Sequence, residues 1–206
     1  ELTVLQAQLG GWDNLNHLLI CNSTKNALLI DPFSGDFWSE IVKERDLNSI
    51  TIGLTHSHWD HCKGVEALVN STVFTPEVRC HQLEQQRGYN ADYIQWWSHN
   101  EFSSQTCVIG GLEFSIHCTP GHTPGHITFI GHGVVVSGDC LFLGRCGRTD
   151  LYGGDMYSMW ESQMHLHIQL KNLPKDWIVL PGHQYSMSDG NNPTFITIDF
   201  LLENNP

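Results

Sequence analysis

The sequence predicts a layered α/β fold, and three observations carry that prediction. Short apolar runs of β type alternate with segments of helical spacing along the whole chain. Four of those runs end in small residues followed by histidine or aspartate, which is how layered sheets present ligand-binding groups at the carboxyl ends of strands. The length of 206 residues, 40% of them apolar, suffices for a sizeable core, so one domain over residues 1–206 is expected.

Taken in order, Leu2 to Leu9 alternates apolar and polar positions and reads as an edge strand. Residues 17–21 and 27–30 read as two buried strands joined by the turn Asn22-Ser23-Thr24-Lys25-Asn26, and Asp31-Pro32 ends the second. Phe37 to Leu47 has helical spacing in Phe37, Trp38, Ile41, Val42 and Leu47. Ile50 to Leu54 is a strand, and a short helix is expected over Gly64 to Val69. Val73-Phe74 reads as a strand and Pro76 to Arg87 as a helix, with proline and Glu77 in its first turn. Gly88 to Gln105 crowds Tyr89, Tyr93, Trp96, Trp97 and Phe102 without a clean period, which fits a helix-loop packed on the body or an aromatic lid. Leu112 to Cys118 alternates as a strand, and 127–130 with 134–136 form a hairpin around Gly131-His132-Gly133. A helix over 155–170 carries Met156, Met159, Trp160, Met164 and Leu166, read as a core stripe. A strand at 177–180 and a short helix at 194–202 complete the chain.

Composition narrows the partners. A formal net charge of −12 argues against nucleic acid and against anionic membranes, both of which need clustered Lys and Arg. A small-molecule substrate is expected instead. The seven cysteines form no Cys-x-x-Cys pair and no framework spacing, which fits a reducing, cytoplasmic setting.

The chemistry concentrates in His56-Ser57-His58-Trp59-Asp60-His61, directly after a β-run. Three imidazoles and a carboxylate at this density point to a metal, since imidazole with carboxylate suits Zn, Fe and Mn. Three further strand ends supply His122, Asp139 and His183. Seven donors exceed one ion's needs and suit two ions sharing a carboxylate. His56 and His58, two apart, face the same way in an extended segment, while Asp60 and His61 lie past the turn. One site is therefore expected from His56, His58, His122 and Asp139, and a second from Asp60, His61, His183 and Asp139.

Four stretches, Thr55-His56-Ser57-His58-Trp59-Asp60-His61, Gly121-His122-Thr123-Pro124-Gly125-His126, Gly138-Asp139-Cys140-Leu141-Phe142 and Gly182-His183-Gln184-Tyr185, together resemble the metallo-β-lactamase superfamily, in particular its glyoxalase II-like (hydroxyacylglutathione hydrolase-like) branch. The resemblance implies an αββα sandwich, two mixed sheets face to face with helices on the outer faces. It implies the same ligand division, with His126 behind the ligands. Two departures stand out. Cys146-Gly147-Arg148-Thr149-Asp150 replaces the Lys and aromatic residue usual in glyoxalase II and is closer to the persulfide dioxygenase branch. No Lys or Arg follows Lys175, so the full C-terminal helical extension that holds glutathione is not expected.

The function these features imply is a metal-dependent hydrolase, a thioesterase acting through a hydroxide bridging two divalent ions, zinc with iron or manganese as alternatives. Asp60 and Asp139 are its expected catalytic carboxylates, and Arg148 and Tyr185 its substrate-binding residues. An iron-dependent persulfide dioxygenase using His56, His122 and Asp139 is the alternative. A β-lactamase is disfavoured because Asp139 stands where the commonest subclass has a ligating cysteine. A non-catalytic metal-binding module is disfavoured because all seven donors are present.

Overall fold

A computed structural model describes residues 1–204. Among the described residues twelve strands form two six-stranded sheets. The first contains β1 (Leu2–Leu9), β2 (Asn14–Cys21), β3 (Asn26–Ile30), β4 (Ser49–Gly53), β5 (Glu77–His81) and β6 (Ile94–Trp97), hydrogen-bonded in chain order. Its first three strands are antiparallel and its last four parallel, β3 belonging to both sets. The second contains β7 (Ser104–Ile109), β8 (Leu112–Cys118), β9 (Ile127–Gly131), β10 (Val134–Gly138), β11 (Ile178–Pro181) and β12 (Ile196–Thr197), also in chain order. Here only β10 and β11 pair in parallel.

Strand alternation builds the layers. Leu19, Cys21, Leu28 and Ile30 face the second sheet and pack with Phe114, Ile116, Phe129, Val134 and Val136. Their neighbours Leu18, Ile20, Ala27 and Leu29 face outward, against Trp38 and Val42 of α1 (Gly35–Glu44) and Val65 and Leu68 of α3 (Val65–Val69), which follows the single turn α2 (Trp59–Cys62). On the other side Val135 and Val179 meet Met159, Leu166 and Leu170 of α4 (Met156–Lys171) and Leu201 of α5 (Ile198–Asn204). This is an αββα sandwich, with its central strands β2, β9 and β10 buried throughout. Two helix starts are capped: Ser34 accepts from the Phe37 amide at the start of α1, and Asp155 from that of Ser158 at the start of α4. Phe129 has no exposed surface at the centre between the sheets. Phe129→Ala is expected to cost roughly 3–5 kcal/mol, a drop in melting temperature of about 10 °C by calorimetry. Among the described residues no helix is long and apolar enough to cross a membrane.

Four expectations need correction. Residues 73–74 are not a strand, and 76–87 is not a helix; β5 occupies 77–81 and a 3₁₀ turn runs over Gln82–Arg87. Proline and glutamate imitate a helix start, but Val78 and Cys80 alternate into a slot between β4 and β6, and pairing overrides local propensity. The aromatic segment forms β6 rather than a helix or lid: Trp97 is buried between the sheets, and Trp96 and Tyr89 pack on the other face. In α4 only Met159, Leu166 and Leu170 reach the core, while Met156, Trp160 and Met164 are 78%, 59% and 45% exposed. Met156, Trp160 and Met164 recur every four residues and share a second face turned to solvent.

Strand direction then places the site. Because β8 and β10 both run antiparallel to β9, and β11 runs parallel to β10, the carboxyl ends of β8, β10 and β11 share one edge. The end of β4 joins them, since the Ile127 amide donates to the Thr55 carbonyl at 2.8 Å and the Leu15 amide to that of Gly182 at 2.8 Å.

Candidate metal centre

The seven ligand-type side chains expected from the sequence converge on that edge as two groups. In the first, His58 Nδ1 lies 3.0 Å from His56 Nε2 and 2.8 Å from His122 Nε2. In the second, His183 Nε2 lies 3.1 Å from His61 Nε2 and 3.2 Å from Asp60 Oδ2. Asp139 stands between them. Its Oδ2 is 3.4 Å from both His122 Nε2 and His183 Nε2, and its Oδ1 is 3.4 Å from His61 Nε2. All seven are buried except His58, which is partly so.

Outer hydrogen bonds fix how the rings present themselves. His122 donates Nδ1–H to the Arg148 carbonyl at 2.7 Å, and His183 donates to the Trp12 carbonyl at 2.8 Å. His61 donates to Asp31 Oδ2 at 2.9 Å. Thr55 donates its hydroxyl proton to the same carboxylate at 2.6 Å, so its oxygen accepts from His56 Nδ1 at 2.9 Å. In their neutral form four rings therefore carry their proton on the outside and aim an Nε2 lone pair inward. Lone pairs and carboxylate oxygens about 3 Å apart repel unless positive charge lies among them. The donor set, imidazole with carboxylate, fits a transition-metal cation.

The titration behaviour follows the same geometry. Burial and the neighbouring imidazoles hold His56 well below its ordinary value and His58 down to about 3. At the other group burial also pulls downward, but Asp139 and Asp31 outweigh it at His61, and hydrogen bonds to Asp139 and Asp60 raise His183 to about 9. Both carboxylates are held low: burial opposes this, but His183 and His61 prevail at Asp60, and His61 and His183 at Asp139. The field at this end is negative and favours a cation.

Glycine provides the room. A Cβ on Gly182 would come within 2.3 Å of Asp139 Oδ1 and 3.0 Å of His61 Cε1. Gly182→Ala is expected to push Asp139 aside and lower bound metal at least about tenfold in affinity, checked by titration with a chromophoric chelator.

Several supporting residues carry no signal in the sequence. Asp31, read as a strand terminator, is buried beneath His61 and Thr55 with φ of +52°. Asn14 donates to Asp60 Oδ2 at 2.7 Å. Glu84, wholly buried, accepts from the Ser57 amide at 2.8 Å, from the Ser57 hydroxyl, and from the Gly125 amide at 2.8 Å, tying two ligand loops together. His126 accepts from the Asp139 amide at 3.0 Å and meets Thr119 at 3.0 Å, so it holds the backbone beneath Asp139.

At the rim, Tyr185 is 38% exposed, its ring 6.1 Å from that of His183. Arg145 lies over Tyr185 at 4.9 Å. Arg148 instead pairs through two hydrogen bonds, 2.6 and 2.7 Å, with exposed Asp150, and only its carbonyl touches the cluster.

The family model of the metallo-β-lactamase superfamily matches residues 10–183, which include every residue of both groups. The chain belongs to the metallo-β-lactamase superfamily. Among curated relatives, the hydroxyacylglutathione hydrolase of Tolumonas auensis is 31% identical over 179 residues, 84% of this chain and 63% of that protein. The enzyme of that name from Erwinia tasmaniensis is 32% identical over 166 residues, 79% and 59%. The chain thus spans less than two thirds of these relatives' length. Among solved structures, ETHE1 from Myxococcus xanthus superposes with a TM-score of 0.80 at 26% identity, covering 99% of this chain and 83% of that one. The BLEG-1 B3 metallo-β-lactamase does so with 0.80 at 27%, covering 99% and 98%. TTHA1623, solved in a di-iron-bound form, gives 0.73 at 26%, covering 98% of each. This superfamily's sandwich is therefore the frame that brings the two groups together.

Proposed function

We propose that this metallo-β-lactamase-fold chain is a binuclear metal-dependent hydrolase of thioesters. The observation that carries the proposal is Asp139, whose two oxygens reach both histidine groups. One ion would be held by His56, His58, His122 and Asp139, and the other by Asp60, His61, His183 and Asp139. Zinc suits this set, with iron or manganese as alternatives. When bound, such ions supply Lewis acidity, bringing a water's pKa from ~15.7 toward ~7 and polarising a carbonyl.

The chain's own groups do the rest. Asp60, its Oδ2 held by Asn14 and its charge kept by His183 and His61, orients the attacking water. Water adds to the acyl carbon, the carbon–sulfur bond breaks, and the leaving thiolate receives the proton that the water gives up. Tyr185 at the rim holds the polar part of the substrate, with Arg145 as the neighbouring cation. Arg148, neutralised by Asp150, positions His122 through its carbonyl instead. The hydrolase names of the relatives about 30% identical to this chain support the reading.

One grouping favours a second reading, an iron-dependent persulfide dioxygenase. His56, His122 and Asp139 make two imidazoles and a carboxylate, and a relative of this fold holds two irons. The metal-loaded protein is tested with a thioester panel, followed by thiol release, and with glutathione persulfide, followed by oxygen uptake. Thiol release without oxygen uptake is expected. Oxygen uptake with persulfide and no thiol release would replace the first reading with the second.

A further inference from the structure

Two exposed indoles and a partly buried phenyl ring stand beside the ligand loops. Trp12 and Trp59 are 64% and 57% exposed. They pack edge to face at 5.9 Å, and Phe33 meets Trp59 at 6.0 Å. Lys63 Nζ lies 4.2 Å from the Phe33 centroid and 5.0 Å from that of Trp59, and among the described residues it makes no ion pair.

This wall is built on the backbone that carries the ligands. Trp59 lies between His58 and Asp60, and the Trp12 carbonyl fixes His183 at 2.8 Å. The Gln184 amide donates to the Asp13 carbonyl at 3.0 Å, so the β1–β2 turn is pinned beside His183. Gly10, at φ +79°, lets that turn lie on Phe33; a Cβ there would come within 2.6 Å of the ring. Phe33 and Lys63 also line a depression of about 330 Å³ shared with Gly35, Gly64 and Ala67. Exposed indoles at the edge of a metal centre leave apolar surface that a flat group would cover, and ring stacking adds to the gain.

We propose that Trp12, Trp59 and Phe33 bind the acyl part of the substrate and select a flat apolar acyl group, aryl or arylalkyl. The assignment rests on the thioester reading above. It also orients the substrate. The acyl group lies on the aromatic wall, and the leaving thiol's polar part lies toward Tyr185 and Arg145. Lys63 holds the Phe33 and Trp59 rings in place by lying over both.

The test uses the metal-loaded chain and two thioesters of one thiol, acetyl and phenylacetyl. Wild type is expected to favour phenylacetyl by about tenfold or more in kcat/KM, the range an apolar subsite provides. Trp12→Ala and Phe33→Ala should each remove most of that preference, the loss falling on the KM for the phenylacetyl thioester. A phenylacetyl-to-acetyl ratio the same in wild type and both variants would overturn the assignment while leaving the hydrolase reading intact. Should neither thioester turn over, the hydrolase reading fails and the wall is judged by binding. Phenylacetate should then quench tryptophan fluorescence in wild type and bind at least about fivefold more weakly to Phe33→Ala, which keeps both indoles. Equal binding would reject it. Trp12→Phe takes the place of Trp12→Ala if the alanine variant does not fold.

Discussion

Asp139→Ala is expected to lower thioester turnover by ~10³-fold or more, a loss of about 4 kcal/mol of transition-state stabilisation, with metal content falling at both positions. The reason is position. Asp60 reaches only His61 and His183, whereas Asp139 reaches His61, His122 and His183. Asp60→Ala should therefore leave the His56, His58 and His122 group able to hold metal, with content near one ion per chain, and still lose most activity. Asp139→Asn, which keeps the shape and removes the charge, separates a folding defect from a charge effect. Elemental analysis beside thiol release decides between these outcomes. Equal metal content in the Asp60 and Asp139 variants would reject Asp139 as the shared carboxylate.

The convergence of the seven candidate ligands on one edge was legible because their chemistry lies in residue type and strand-end position, both properties of short stretches. His56 to His61 needed only a preceding β-run, and the three later turns repeat the pattern. The groups that orient them were not legible. Asp31 acts on Thr55, 24 residues away; Asn14 acts on Asp60, 46 away; Glu84 acts on Gly125, 41 away. Nothing near those carboxylates or that amide in sequence marks them, since their roles exist only once two sheets meet at one edge. The same limit explains β5, whose strand character is set by its pairing with β4 and β6 rather than by the helix-like Pro76-Glu77 at its start. It also explains Arg148. A cation in a loop reads as a substrate group, and here a carboxylate two residues on takes up its Nε–Nη2 edge.

Asp31 is the support whose loss should cost the fold most. Its Oδ1 accepts the Thr55 amide at 2.7 Å, and its Oδ2 accepts both the Thr55 hydroxyl at 2.6 Å and the His61 ring at 2.9 Å. Asp31→Ala strands three donors where the side chain is 4% exposed, an expected cost of roughly 3–5 kcal/mol and a fall in melting temperature of about 10 °C or more. Asp31→Asn is the more informative change. The amide oxygen still accepts from Thr55, but its NH₂ group meets the Thr55 hydroxyl and the His61 ring as a donor. His61 must then move its proton to Nε2, and the reoriented hydroxyl moves that of His56 the same way. Both inward lone pairs are lost while the shape is kept. Metal affinity is therefore expected to fall ~10–100-fold with a smaller loss of stability than in Asp31→Ala. Zinc titration calorimetry beside thermal melting reads the two effects separately. Wild-type zinc affinity in Asp31→Asn would show that Asp31 serves the fold alone and does not set which nitrogen faces the centre.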